Sequence, residues 1–273
     1  MVALWRALAD EGVTSVRDFR DPFAAQLLDG RFAVALRYIR AWLARRGEPA
    51  RARMAANIDT IPIRVAAIDA ALVAAIAAGC RQVVILGAGL DTRAWRLQAV
   101  AGLPLFEVDH PATQAEKRER SRMLPPPLAR IAWTAVDFHE QSLAARLADV
   151  GQALEQPTAW VWEGVVMYLS DDAVRGTLTA VRARSAPGSV LILHYHEPSL
   201  GAWARSLRGV LMRAIGEPQL GVRSRASMRA LVDSAGFVVQ EDLGTAEQAE
   251  RVHARAPDND LGRVSRILIA RVA

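Results

Sequence analysis

Four acidic side chains in this 273-residue sequence share a position, since each follows a short apolar run that predicts a buried β-strand. They are Asp91, Asp109, Asp137 and Glu163. Carboxylates accept hydrogen bonds from hydroxyl and amino groups and attract cations. Because the carboxyl ends of parallel strands meet at one edge of a sheet, we expect the four acids to line one extended ligand site. Three of them also have an alternative local role, Asp91 as a helix cap, Asp137 in a turn and Glu163 as the partner of an arginine.

A glycine-containing turn follows the first predicted strand. Gly87 and Gly89 lack a Cβ, so the chain can adopt positive φ there and a ligand can approach the backbone closely. A Gly-x-Gly pattern by itself fits a tight turn with nothing bound equally well. Asp109 follows about twenty residues later, the offset at which α/β nucleotide-binding folds place the acid that binds ribose hydroxyls. Together the turn and the acid predict a site for a nucleoside-containing ligand.

Strands and helices alternate through most of the chain, which predicts an α/β fold with a mostly parallel sheet. The predicted strands cover residues 82–86, 104–109, 131–136, 158–163, 189–195, 237–240 and 266–270. The predicted helices cover residues 61–78, 92–101, 111–122, 140–154, 171–185 and 225–235. We expect a Rossmann-like sheet with a C-terminal antiparallel strand.

Two segments outside this alternation are expected to cover the ligand site. Residues 1–60 are mostly helical by periodicity, with a helix start at Asp21-Pro22, because proline suits the first turn of a helix. They are interpreted as an N-terminal cap, and residues 61–273 as the ligand-binding domain. An amphipathic insert at 197–222 follows the fifth strand and is interpreted as a lid. We expect these two segments to select the second substrate.

The composition, with 52% hydrophobic and 23% charged residues, is typical of a soluble globular protein. The most apolar stretch, Val65–Cys80, is too short for a membrane span and contains Asp69, so we predict a buried helix. The N-terminus lacks the apolar core of a signal peptide, and the expected location is the cytoplasm. Cys80 is the only cysteine, which excludes internal disulfides and thiolate metal clusters, and no metal site is predicted.

The net charge of +5 raises the question of a nucleic-acid partner. Lys117 is the only lysine, and the arginines are interpreted as spread along the chain rather than gathered in a basic run with interleaved aromatics. We therefore expect no nucleic-acid and no membrane partner, and a small molecule as the substrate. The sequence does not determine the oligomeric state, for which a monomer is the working expectation.

The acids at the strand ends discriminate between nucleoside ligands. A dinucleotide would bring a pyrophosphate beside Asp91 and Glu163, where it would be repelled. Thr92 also stands where the dinucleotide fingerprint has its third glycine. S-adenosylmethionine (SAM) has no phosphate, carries a positive sulfonium and ammonium, and offers ribose hydroxyls and an adenine amino group to carboxylates. Its own carboxylate requires a cation. We therefore expect SAM as the cofactor.

Four stretches in this order resemble motifs of the leucine carboxyl methyltransferase family. They are 87–97 (GAGLDTRAWRL), 106–111 (FEVDHP), 136–138 (VDF) and 162–169 (WEGVVMYL). This class I group includes the tetracenomycin-type polyketide carboxyl methyltransferases. The resemblance implies an enzyme that transfers a methyl group from SAM to oxygen, most directly to a carboxylate of a small molecule such as a polyketide-like natural product.

Site residues follow from the resemblance by position. The predicted cofactor-binding residues are Arg64, Gly87, Gly89, Asp91, Asp109, His110, Asp137, Phe138 and Glu163. The resemblance implies that Arg64 holds the cofactor's carboxylate and that the two glycines lie beneath its methionine portion. It also implies that Asp109 binds the ribose, that Asp137 with Phe138 contacts the adenine and that Glu163 lies near the amino end. Arg64 has an alternative role as a surface arginine paired with a nearby aspartate.

The nature of the methyl acceptor decides whether a base is needed. A carboxylate, with an ordinary pKa of about 4, is already ionised at neutral pH, whereas a phenol or alcohol needs a base near the sulfonium. His194 and His196 end the fifth strand and are the candidate bases for that second case. Arg223 and Arg225 are candidates to hold an acceptor carboxylate, or else solvated residues at a helix start.

Three other functions stay open at this point. One is methyl transfer to a phenolic hydroxyl with a histidine as base. Another is a nicotinamide-dependent oxidoreductase on the same kind of sheet, and a third is a binding protein that keeps the fold without turnover.

Overall fold

The computed structural model describes residues 1–137, 141–198 and 221–272, and in them seven strands form one sheet. The strands are β1 Gln82–Leu86, β2 Pro104–Asp109, β3 Arg130–Ala135, β4 Thr158–Trp162, β5 Val190–His196, β6 Val238–Gly244 and β7 Ser265–Arg271. Their order is β3-β2-β1-β4-β5-β7-β6. The first five strands pair in parallel with one another, and β7 is antiparallel to both β5 and β6. The predicted Rossmann-like, mostly parallel sheet is confirmed.

Helices cover both faces of this sheet. In the described residues they are α1 Val2–Asp10, α2 Gly30–Arg46, α3 Glu48–Ile58, α4 Thr60–Ala77, α5 Arg93–Arg96, α6 Pro111–Ser121, α7 Leu143–Asp149, α8 Asp171–Ala183, α9 Arg225–Ser234, α10 Thr245–Arg251 and α11 Asp260–Val264. Alternate side chains of β1 enter opposite layers: Val83 and Ile85 share a core with α4 and α5, and Val84 and Leu86 share one with α7, α8 and α9. With both faces covered, the carboxyl edge of the parallel strands is the place for a ligand.

Helix α4 is long and apolar enough to cross a membrane by length and composition alone. Here Ile68 and Leu72 are fully buried and pack against the sheet, as expected for a core helix. The helix leads into β1 through a short turn, so it runs antiparallel to that strand. Its N-terminal end, which carries Arg64, therefore lies at the carboxyl edge of the sheet.

The helix start predicted at Asp21-Pro22 is wrong. Residues 22–27 form turns, and the next helix begins at Gly30, where the Asp29 side chain accepts a hydrogen bond from Phe32 N at 2.9 Å. Asp21 does not cap a helix because its carboxylate is buried and accepts from Thr92 Oγ1 at 2.8 Å. A long-range contact has therefore overridden the local signal.

Other element boundaries differ from the predictions by several residues. The helix predicted at 92–101 ends at Arg96 and is followed by a short 3-10 turn, Gln98–Val100. The helix predicted at 140–154 is α7, which begins after the capping residue Ser142 and ends before Gly151, whose φ is +83°. Phe138 and residues 199–220 of the predicted insert lie outside the described residues.

Candidate functional site

The turn after β1 has the left-handed backbone that its glycines allow. Gly87 has φ of +66° and Gly89 has φ of +46°. A Cβ at Gly87 would also collide with the side chain of Val165, which approaches from the loop after β4. The amide nitrogens of Gly87 and Ala88 both donate to Val108 O, at 2.8 and 3.0 Å. These bonds hold the turn against the end of β2, so its open side faces the carboxyl edge of the sheet.

Asp109 is tied to this turn. One of its carboxylate oxygens accepts from Gly89 N, and the other accepts from His110 N at 2.7 Å. The His110 side chain caps α6, with Nδ1 accepting from Ala112 N at 3.3 Å. The predicted ribose-binding acid therefore lies beside the glycine turn, while the His110 ring has a local structural role.

Arg93, which the sequence analysis did not assign, is 1% exposed and lies among three carboxylates. Its Nε is 2.6 Å from Asp69 Oδ1, its Nη1 is 2.5 Å from Asp91 Oδ2 and its Nη2 is 2.9 Å from Glu163 Oε2. Asp91 also accepts from Arg93 N at 2.7 Å, while the N-cap residue of the short helix α5 is Thr92, which makes no side-chain cap. The local role considered for Glu163, as the partner of an arginine, is therefore present, whereas Asp91 precedes the N-cap residue Thr92 instead of capping the helix.

Neighbouring arginines keep both of these acids ionised. Burial by itself would raise the pKa of Asp91, but nearby positive charges, led by Arg93, lower it to about 2. Burial also opposes ionisation of Glu163, yet the charges of Arg64 and Arg93 lower its pKa below the ordinary value. Two negative charges therefore lie at the carboxyl ends of β1 and β4 at neutral pH.

Arg64 is 5% exposed and approaches Glu163 from helix α4. Its Nε donates to Glu163 Oε1 at 2.8 Å, and across the described ranges this is its one hydrogen bond. The two terminal nitrogens of its guanidinium group are therefore left to bind something else. Among the described residues, Arg64 and Glu163 thus form a positive and a negative group side by side.

A cavity of about 380 Å³ opens above this pair. Five predicted cofactor-binding residues line it, namely Arg64, Gly87, Gly89, Asp91 and Glu163. The remaining wall comes from the N-terminal cap, from α6, from other residues of β1 and its turn, and from the loop after β4. Asp109 and His110 flank the cavity without lining it, and Asp137 follows β3 at the same edge of the sheet. In the part of the chain that the structure describes, no cluster of three or more His, Cys, Asp or Glu residues could hold a metal ion.

The two candidate bases on β5 are buried and do not line the cavity. His194 Nδ1 accepts from Gly164 N at 3.3 Å, and its Nε2 is 3.0 Å from Ser265 Oγ. Burial, together with the positive charge of Arg64 and the ring of His196, lowers the pKa of His194 well below its ordinary value. The His194 ring is therefore neutral and holds the loop after β4. His196 packs edge-to-face on it with ring centroids 5.0 Å apart.

Helix α1 supplies a further arginine that the sequence analysis left out. Arg6 lines the cavity, donates to Leu90 O at 2.5 Å and forms a 3.1 Å ion pair with Asp21. It joins the cap to the glycine turn. Arg93 stood inside the quoted motif and was missed because its partners are distant in sequence.

Neither of the arginines considered for an acceptor carboxylate is placed for that role. Arg223 is 4% exposed and donates to Asp171 and to the carbonyl oxygens of Val166, Leu169 and Gly221. The interpretation of Arg223 as a solvated residue is therefore wrong too, since it ties the chain to the loop after β4. Arg225 begins α9, is half exposed and lies 3.3 Å from Asp242.

Comparison with known sequences agrees with this arrangement. A family model described as leucine carboxyl methyltransferase matches residues 1–182, more than half of the chain. A protein of Mycolicibacterium paratuberculosis, named provisionally as an S-adenosyl-L-methionine-dependent methyltransferase, is 36% identical over 207 residues, 74% of this chain and 66% of its own length. A protein of Streptomyces coelicolor with the same provisional name is 42% identical over 144 residues, 52% of this chain and 50% of its own length. The chain thus matches 66% or less of the length of these curated relatives.

Solved structures with low sequence identity share the fold. A protein of Thermobifida fusca, provisionally named a methyltransferase, has a TM-score of 0.60 at 17% identity, with coverage of 100% of this chain and 94% of that one. Magnesium protoporphyrin IX methyltransferase of Synechocystis, solved with bound SAH, has a TM-score of 0.51 at 15% identity and covers 77% of this chain and 81% of its own. The family match and the shared fold lead to one conclusion: this chain belongs to the leucine carboxyl methyltransferase family.

Proposed function

We propose that this chain binds SAM in the cavity and transfers its methyl group to a carboxylate oxygen of a small molecule. The observation that carries the proposal is the adjacent pair Arg64 and Glu163 at the cavity wall. The amino-acid end of SAM carries a carboxylate and an ammonium, which complement this pair. The relatives named as SAM-dependent methyltransferases support the same cofactor.

The residues at the other end of the site fit the adenosine portion. Asp109 has one hydrogen bond from the protein on each carboxylate oxygen, so each oxygen keeps a lone pair for a ribose hydroxyl. A Cβ at Gly89 would meet only Gly87 O at 3.9 Å, so this glycine leaves room for a ligand, whereas Val165 fills the corresponding space at Gly87. Asp137, at the same edge, is suited to accept from the adenine amino group. The donor and acceptor set thus fits SAM along its whole length.

The same geometry disfavours a nicotinamide dinucleotide. Phosphate groups usually bind the free amide nitrogens at the start of the helix after the glycine turn. Here Arg93 N, in the first turn of α5, already donates to Asp91, and the ionised Asp91 would repel a phosphate. Hydride transfer from a dinucleotide therefore lacks a phosphate site in this turn.

The surroundings of the cavity favour a carboxylate acceptor. Bound SAM supplies a methyl group activated by its sulfonium charge, and the chain's task is to align an ionised oxygen with it. Alignment of this kind is worth on the order of 7–11 kcal/mol for well-oriented reactants. His194 is buried outside the cavity lining, burial and the charge of Arg64 lower its pKa, and both of its ring nitrogens are engaged, so it is not poised to deprotonate a phenol. Leu28 and Phe32 of the cap line the cavity and suit an acceptor with an apolar body.

The acceptor class can be tested with SAM carrying a tritiated methyl group and two panels of small molecules, carboxylic acids and phenols. We expect labelled products from the acid panel whose label is released as methanol by mild alkali, because carboxyl esters hydrolyse there and aryl methyl ethers do not. Products stable to alkali and lost in His194→Asn would support the phenol alternative instead. Tight SAM binding with no transfer to either panel would favour the binding-protein alternative.

A further inference from the structure

The positive charge of this chain is concentrated in one part of the cap. Residues 30–58, which form α2 and α3, contain seven arginines and one glutamate, a net charge of +6. The whole chain carries +5, so all other residues together carry −1. The arginines are spread along the chain as expected, but those of residues 30–58 are the ones that acidic residues nearby in the sequence do not balance.

Exposed apolar side chains lie along the same helix. Arg31, Val34, Tyr38, Trp42 and Arg45 are separated by three, four, four and three residues, which places them on one stripe of α2. Val34 is 38% exposed, Tyr38 74% and Trp42 42%. The stripe is about 21 Å long at 1.5 Å per residue. The stripe thus consists of a valine and two aromatic side chains in the middle, with one arginine at each end.

The other side of α2 is accounted for by the fold. Leu36 and Leu43 are buried in the core of the cap, so the helix is held with its stripe outward. Across residues 1–137, 141–198 and 221–272, the arginines of α2 other than Arg40 form no salt bridge. These are Arg31, Arg37, Arg45 and Arg46. An anionic partner would therefore not have to displace an acid of the chain.

We propose that α2 docks this chain on an anionic lipid bilayer, with Tyr38 and Trp42 at the level of the headgroups and the flanking arginines on lipid phosphates. Tryptophan and tyrosine favour the membrane interface, and a helix with an exposed apolar stripe and arginines beside it lies in that plane. Pairing with a second copy would bring two surfaces of like charge together, which opposes self-association. A nucleic acid would use the arginines but would leave the apolar stripe in water. The contact is peripheral, and it replaces the expectation of no membrane partner.

The test is sedimentation of the purified protein with vesicles at physiological salt. We expect binding to vesicles of phosphatidylglycerol and phosphatidylcholine, little binding to phosphatidylcholine alone, and weaker binding as salt rises. The pair Arg31→Gln and Arg45→Gln should weaken binding about thirtyfold, because one basic residue near an anionic surface contributes about 1 kcal/mol, or roughly fivefold. The pair Tyr38→Ser and Trp42→Ser should remove the binding that survives at high salt.

Matched controls lie elsewhere on the surface. The pair Arg122→Gln and Arg175→Gln makes the same change in net charge, and Met123→Ser removes an apolar side chain that is 84% exposed. Both should bind vesicles like the unchanged protein, with thermal unfolding showing that every variant is folded. An equal loss in the controls, no sedimentation with anionic vesicles, or tighter binding to a DNA duplex than to those vesicles would overturn the proposal. None of these readouts depends on methyl transfer.

Discussion

Replacing Arg64 with methionine isolates the amino-acid end of the proposed cofactor site. The two terminal nitrogens of Arg64 are free of protein partners in the described part of the chain, so they are available to a ligand carboxylate. Hydrogen bonds to charged groups are worth about 1.5–3 kcal/mol each. Losing two of them removes about 3 kcal/mol even at the lower value, and each 1.4 kcal/mol is a factor of ten in Kd. We therefore expect SAM to bind Arg64→Met about a hundredfold more weakly.

Calorimetric titration with two ligands distinguishes this role from a structural one. SAM carries the amino-acid carboxylate, whereas 5′-methylthioadenosine keeps the adenosine and lacks both the carboxylate and the ammonium. Arg64→Met should lose affinity for SAM and keep its affinity for methylthioadenosine. Arg64→Lys should lie between, because lysine keeps the charge but not the bidentate geometry. Arg175→Met, on the exposed face of α8, is the matched control.

Glu163 retains Arg93 as a partner in Arg64→Met, so the variant is expected to fold. An equal loss of affinity for both ligands in a folded variant would refute the assignment. It would mean that Arg64 shapes the site through Glu163 instead of binding the cofactor carboxylate.

Three further predictions concern the turn, the acids and the histidine. Gly87→Ala should lower the free energy of unfolding by about 1–2 kcal/mol through its positive φ alone, and by more through the collision with Val165. In guanidinium unfolding, adding Val165→Ala should restore the part of the free energy that the collision removes and leave the part that the positive φ removes. Because the pKa of Asp91 falls from 3.8 to about 2 on folding, its contribution of about 2 kcal/mol is complete above pH 3.8 and lost as the pH falls toward 2, so Asp91→Asn should flatten the stability profile in that window. His194→Asn should retain methyl transfer to carboxylates within about tenfold, and the unchanged protein should show no kinetic pKa near that of histidine. A kinetic pKa of this kind that disappears in a folded His194→Asn variant, together with a loss of 10²-fold or more, would make His194 a base.

The parts of the fold that were predicted correctly have signals within a few neighbouring residues. Apolar runs such as Val83–Leu86 mark buried strands, and the spacing of Gly87, Gly89 and Asp109 marks the edge where a ligand binds. Both predictions are correct because the residue types themselves favour these features: apolar runs favour buried strands, and glycine permits a positive φ.

The parts that were missed depend on contacts between distant residues. Asp21 looked like a helix cap but is bound to Thr92, 71 positions away, and Arg93 gains its importance from Asp69 and Glu163 on other elements. The His194 side chain looked like a base at a strand end, but the strand buries it between Gly164 and Ser265. The loops that pack at a strand end decide which of its side chains face the ligand. The periodicity of the sequence carries no information about how those loops pack.

Binding of SAM by the purified protein tests the central claim most directly. The account predicts micromolar calorimetric binding of SAM, little binding of NAD or NADP, and loss of SAM binding in a folded Asp109→Asn variant. Tighter binding of a dinucleotide, or no SAM binding by a folded sample, would contradict the cofactor assignment and the proposed methyl transfer with it.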